Sequence, residues 1–128
     1  MIFVDANVFM YAVGRAHSLR DDARRFFEDG RRDGAQLVTS AEVLQELLHA
    51  YVAVGRFETL DSALTLAESS VTHVWPVEQE DVRLARALLE RHPRLGARDV
   101  LHLACCRRKA VQRVKTYDRA LQNAFRAP

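Results

Sequence analysis

Four acidic residues in this chain occupy positions from which their side chains could meet. Asp5 follows the apolar run Met1 to Val4 directly, in MIFVDANVFM, and Asn7 stands two positions on. Glu46 lies in TSAEVLQELLHAY, Asp99 in GARDVLHLACC and Asp118 in VKTYDRA. Carboxylates that converge repel and raise one another's pKa, and a divalent cation removes that conflict. A donor set of oxygens favours Mg²⁺ or Mn²⁺. No Cys/His spacing suits zinc, because His17, His49, His73, His92 and His102 are scattered.

Each residue taken singly has an ordinary structural reading. Asp5 and Asp118 suit helix N-caps, where a carboxylate oxygen accepts free backbone N–H groups. Glu46 suits a solvated polar face shared with Glu42 and His49, opposite a core face of Val43, Leu44, Leu47, Leu48 and Tyr51. Thr39 and Glu42 fit a capping box, the hydroxyl taking one end amide and the Glu the other. Asp99 shares a helical stripe with Leu103 and Cys106. Val100, Leu101, Ala104 and Cys105 cover most of the remaining surface, so this helix is expected to be buried. Asp99 then lies at the edge of the core and gains from the positive helix terminus. It still needs a partner charge or a metal there. His102, three residues on, is read as a polar core or partly exposed position, with a supporting place behind the acids as the alternative.

The elements that must position these acids are short strands alternating with helices. Strand patterns are Ile2–Val4, Gln36–Thr39, Thr72–Pro76 and Arg113–Thr116. Helical patterns cover a segment from Ala6, then Leu19–Arg32, Ala41–Val54, Thr59–Ser69, Glu80–His92, Asp99–Lys109 and Arg119–Phe125. Gly34 and Gly55 mark two of the helix ends. Alternation of this kind predicts an α/β fold with a mainly parallel sheet. In such sheets ligands gather beyond the carboxyl ends of strands, near the switch in strand order. Asp5 and Asp118 both leave strands at those ends.

The chain has 128 residues, enough for one domain spanning 1–128 with a real core. No apolar run approaches the roughly 18 residues that would span a bilayer. The first apolar run has no Lys or Arg ahead of it, unlike a secretory signal. Cys105 and Cys106 are adjacent and cannot form an ordinary bridge with each other, which suits a reducing compartment. The cytoplasm is the expected location. The formal charge is 19 − 17 = +2. With four acids gathered in one site, the remaining surface would carry 19 − 13 = +6. Basic clusters at Arg24–Arg25, Arg31–Arg32, Arg107–Lys109, and Arg113 with Lys115 suit solvated helix faces or phosphate contacts about equally.

The four acidic segments, in order and at this spacing, resemble the motifs of PIN-domain nucleases, and among these the VapC-type toxin ribonucleases of toxin–antitoxin pairs. FVDANVFMYA is similar to the opening acidic motif and TSAEVLQELLHA to the second. GARDVLHLACC is similar to the third and VKTYDRAL to the Thr-x-Asp motif, with Thr116 and Asp118. Many members carry a further acid two residues after that Asp, followed by Phe. Ala120 and Leu121 stand there in this chain, which leaves four carboxylates. The resemblance implies a PIN-like three-layer α/β/α domain with a short, mainly parallel central sheet. It implies Mg²⁺- or Mn²⁺-dependent endoribonuclease activity on RNA phosphodiester bonds. It assigns Asp5, Asp99 and Asp118 to the metal, with Glu46 completing the shell or orienting the attacking water. Asn7 and Thr116 would support ligands or phosphate by hydrogen bonds. A homodimer and a small VapB-like antitoxin, its basic tail in the acidic cleft, are also implied.

Three other readings compete. A receiver-like signalling domain is similar in size and class, but it needs a phosphoacceptor Asp after a central strand and a Lys after the last. Here strand three ends in WPVEQED and Lys115 lies within strand four. A Mg²⁺-dependent phosphatase would need a second Asp where Asn7 stands. A non-catalytic PIN-fold binding module would not need the full set of acids.

Overall fold

The computed structural model describes residues 1–127. Strand β1 (Ile2–Val4) is central, and the four-stranded sheet runs in the order β3-β2-β1-β4. Its neighbours are β2 (Leu37–Ser40) and β4 (Arg113–Lys115), with β3 (His73–Trp75) at the edge. Every pairing is parallel. The observed β3 is shorter at both ends than the sequence pattern Thr72–Pro76. Thr72 instead closes the entry, its N–H and its hydroxyl both donating to the Leu37 carbonyl.

Between the strands run α1 (Ala6–Val13), α2 (Arg20–Asp33), α3 (Ala41–Val52), α4 (Phe57–Ser70), α5 (Gln79–Leu88) and α6 (Ala97–Arg108). After β4 the chain ends in α7 (Arg119–Arg126). Helices α1 to α4 share one core cluster with the sheet residues Phe3, Val4, Leu37 and Val38. Helices α5, α6 and α7 share a second, built on Ala85, Val100, Leu103, Ala104 and Ala124. The two join at α6, where Cys106 belongs to the first cluster and the His102 ring lies 5.4 Å from that of Phe3. Val100 and His102 to Cys106 are all buried, as the nearly all-round apolar pattern of α6 requires. Asp81 is wholly buried in α5, where its carboxylate caps the Glu78 N–H and takes an ion pair from Arg108 at 2.7 Å.

Strand order explains where a site must lie. The chain leaves β1 for β2 and β3 on one side, then crosses to β4 on the other. The connections leaving β1 and β4 therefore diverge, opening a crevice at their carboxyl ends. Register pairs Val4 with Lys115, and the Asp5 N–H donates to the Lys115 carbonyl at 3.0 Å. Asp5 and Thr116 are thereby held side by side at the crevice floor.

One local expectation is corrected. Thr39 does not cap α3; its hydroxyl donates to the Val4 carbonyl at 2.9 Å, tying β2 to β1. The strand runs one residue further, so Ser40 becomes the cap and accepts from the Val43 N–H at 3.4 Å. Glu42 is then free of any capping box and faces Arg98 of α6 at 3.7 Å. The consequence is testable. Ser40→Ala is expected to cost about 1 kcal/mol in urea denaturation. Glu42→Ala should stay within about 0.5 kcal/mol of the parent, since an exposed ion pair contributes little. A larger loss for Glu42→Ala than for Ser40→Ala would restore the capping box.

Candidate functional site

Two of the four acids perform the capping role that their positions suggest, and both also face the crevice. Asp5, 5% exposed, is the N-cap of α1 and accepts from the Ala6 N–H at 2.8 Å through Oδ1. Its other oxygen accepts from the Thr116 hydroxyl at 2.7 Å. Thr116 in turn accepts from the Asn7 side-chain amide at 3.3 Å and from the Asp118 N–H at 3.0 Å. Asn7 closes the loop by accepting from the Tyr117 N–H at 3.2 Å. The β1 and β4 exits are thus stitched together by one buried network. Asp118 caps α7 with Oδ1, accepting from the Leu121 N–H at 3.1 Å.

The other two acids arrive on helices. Glu46 projects from the second turn of α3. Asp99, half-buried, stands in the first turn of α6. Between them His102, 1% exposed, places Nε2 at 2.6 Å from Glu46 Oε1 and 3.8 Å from Asp5 Oδ1. Both of its sequence readings are realised at once: the position is a core one, and it backs the acids. Its spacing of three from Asp99 put it on the facing side of the helix. The contact with Glu46 spans 56 residues of chain, and no local pattern announces it.

Electrostatics show that the acids share one space. Burial pushes the Asp99 pKa up, and the nearby charges of Asp5 and Asp118 push it further, to about 6. Asp5 is also raised, by burial, although His102 and the Thr116 hydroxyl oppose that. Burial alone would lower His102, but the hydrogen bond and charge of Glu46 hold it above its ordinary value. The carboxylates here outnumber the one imidazole that faces them, and such an excess of partly buried negative charge favours a cation. The nearest trio of ligand atoms belongs to Asp5, Glu46 and His102, all within 4.8 Å of one another. Asp99 and Asp118, expected beside Asp5 as ligands, lie outside that tightest trio, yet their charges act on the same centre. His102 Nε2 is committed to Glu46, so the donors that remain are carboxylate oxygens, and these fit a hard divalent ion such as Mg²⁺ or Mn²⁺.

Thiol chemistry is not available beside it. Both cysteines are free and buried, and burial raises Cys105 to about 11 and Cys106 further. Each basic cluster of the sequence commits at least one side chain within the fold. Arg24 donates to the Ala12 carbonyl, Arg32 pairs with Asp29 and Asp33, and Lys115 pairs with Asp22. Arg107 donates to the Ala127 carbonyl, and Arg108 serves Asp81. The receiver-like reading fails on topology, because β3 is an edge strand and the buried acid follows β1.

The model of the PIN domain matches residues 2–126 of this chain. Ribonuclease VapC23 of Mycobacterium tuberculosis is 62% identical over 127 residues, covering 99% of this chain and all of that protein. Ribonuclease VapC13 of the same species is 42% identical over 123 residues, covering 96% of this chain and 94% of its own length. Among solved structures, Mycobacterium tuberculosis VapC20, described as a sarcin–ricin loop cleaving toxin, superposes with a TM-score of 0.82 at 21% identity. That match covers 97% of this chain and 95% of the other.

The raised Asp99 pKa sets the sign of a pH effect. A carboxyl that binds its proton more tightly when folded adds stability at low pH. That contribution is lost as pH rises from the ordinary 3.8 through about 6. In metal-free buffer Asp99→Asn should therefore raise the melting temperature near pH 7.5 and change it little near pH 4. Destabilisation at neutral pH in a thermal scan with chelator would contradict the crowding of the acids.

Proposed function

The chain belongs to the PIN-domain family, in its VapC-type branch, and from that premise we propose that it is a divalent-metal-dependent endoribonuclease acting as the toxin of a toxin–antitoxin pair. The observation that carries this reading is the convergence of Asp5, Glu46, Asp99 and Asp118 in one crevice, where the pKa values of Asp5 and Asp99 are raised and His102 stands behind them. The VapC23 likeness extends over essentially the full length of both chains, which supports carrying its named ribonuclease activity across.

A bound Mg²⁺ or Mn²⁺ would supply a water of lowered pKa and cover for charge developing on the phosphate and the leaving oxygen. The protein's part is positioning. Asp5, Asp99 and Asp118 would hold the ion through their carboxylates. Asp5 is locked by Thr116 and by the first turn of α1, so its free energy of ordering is spent in folding rather than on binding. Glu46 is aimed by His102, which fixes the carboxylate that orients the attacking water. Asn7 and Thr116 hold the β1 and β4 exits at a constant separation.

The substrate is RNA, gripped through its backbone phosphates. The partner is a small VapB-like antitoxin whose basic tail pairs with the acidic crevice. A homodimer is supported by apolar side chains left in solvent on α3 and around its turn into α4: Leu48, Val52, Val54 and Phe57 are 48%, 48%, 66% and 58% exposed. No helix among the described residues is long and apolar enough to cross a membrane. Free cysteines and a nucleic-acid substrate support a cytoplasmic location in this reading.

Purified protein incubated with total cellular RNA should yield discrete fragments with Mg²⁺ or Mn²⁺ and none with EDTA. Asp5→Asn and Asp99→Asn should each lower the rate by roughly a hundredfold or more, with the circular dichroism spectrum unchanged. Full activity in either variant overturns the site. Mn²⁺ at about 100 times its Kd should add about 2.7 kcal/mol to the stability of the parent. An unchanged melting temperature at saturating metal would sink the metal-dependent reading.

A further inference from the structure

A second cavity opens beside the acids, of about 410 Å³, between α1, the loop after it and the turn from α3 into α4. Its volume is in the range that holds a small organic ligand. Its lining combines planar rings with positive charge. Tyr11 lies with its ring centroid 4.7 Å from that of His17, and Tyr51 carries the Arg56 guanidinium 5.9 Å above its ring centre. Arg15 lines the same space, and neither it nor Arg56 makes an ion pair among the described residues. Arg25, Arg31 and Arg113 are likewise without ion pairs among the described residues, and what distinguishes Arg15 and Arg56 is their place in this ring-lined space.

The rings are held in place rather than loosely exposed. Tyr11 packs edge-on against Tyr117 with centroids 5.4 Å apart. His17 Nδ1 accepts from the Leu19 N–H at 3.0 Å, so in the neutral ring the proton sits on Nε2, and the ring plane is set. Gly14 completes the wall. A Cβ there would lie 2.9 Å from the Met10 carbonyl oxygen, so the chain can turn this tightly only at glycine.

The cavity is joined to the acids through Asn7. Asn7 lines it, donates to Thr116, and Thr116 donates to Asp5. Two hydrogen bonds thus separate the cavity wall from the carboxylate at the centre of the crevice. We propose that this cavity seats an unpaired nucleobase of the RNA strand, neighbouring the phosphate to be cut. The base stacks on the Tyr11 and His17 rings, and Arg15 and Arg56 hold the adjoining phosphates. Single-stranded RNA is gripped in this way, by aromatic faces for the bases and guanidinium groups for the backbone. The inference rests on the ribonuclease reading and adds to it a subsite that selects single-stranded or splayed-out RNA.

The test uses a short labelled RNA carrying the bond found to be cut in total RNA, with an abasic nucleotide placed in turn at each position around it. With the parent protein, one abasic position next to the cut bond should lower kcat/KM by about tenfold, chiefly through KM. The paired change His17→Ala and Arg56→Gln should lower kcat/KM on intact RNA by a similar factor, with the fold unchanged by circular dichroism. In that variant the abasic substitution should have no further effect. If no abasic position matters to the parent, or if its penalty persists undiminished in the variant, the base subsite is overturned while the nuclease stands. If the parent cuts no RNA with either metal, the ribonuclease reading fails and the subsite with it.

Discussion

The hydrogen bond from Thr116 to Asp5, backed by the parallel pairing of β1 with β4, is the constraint on which the functional part of this molecule depends. It joins residues 111 apart in sequence and fixes a buried carboxylate at the point where the sheet changes direction. Everything else in the crevice is arranged against that fixed negative charge. Asp99 and Asp118 enter from helix starts, where backbone N–H groups offset part of their charge. Glu46 enters from the side of α3 and is matched by a buried imidazole instead. Helix termini and one histidine offset part of this charge, and Asp5 and Asp99 are left with raised pKa values. Such a balance favours binding a cation over holding a proton once pH exceeds the raised values.

Structural and functional duties are not alternatives here. The capping roles of Asp5 and Asp118 were legible from chain position alone, and both are real. Capping is also what directs their oxygens. A carboxylate that spends one oxygen on a helix N-terminus is oriented at no further entropic cost to a ligand. The same economy applies to Asn7 and Thr116, small polar residues that bond to each other and to backbone rather than to solvent.

The parallel α/β character of the sheet and the burial of α6 were predictable in outcome, because β-branched runs, helix periodicity and strand–helix alternation are local signals, whereas the strand order was not. The four acids could be placed at element ends for the same reason. What sequence could not show was pairing between distant elements. Thr39 looked like a cap because it stands three residues before Glu42, but hydrogen bonding to Val4 in the neighbouring strand took its hydroxyl instead. His102 was visible only as an ambiguous polar residue, since its partner lies on another helix. Basic clusters were equally opaque. Which arginines pair internally depends on tertiary neighbours, and Arg15 and Arg56, which line the second cavity, stand outside every cluster in the sequence.

The proposed function requires these acids together to form a cation site in the folded chain. Isothermal titration calorimetry with Mn²⁺ tests it most directly, on the parent and on Asp5→Asn beside it. Saturable binding to the parent is expected, weaker near pH 5.5 than near pH 7.5 because protons compete for the same oxygens. Asp5→Asn should abolish the binding. No saturable heat in the parent, or unchanged binding in the variant, would contradict it.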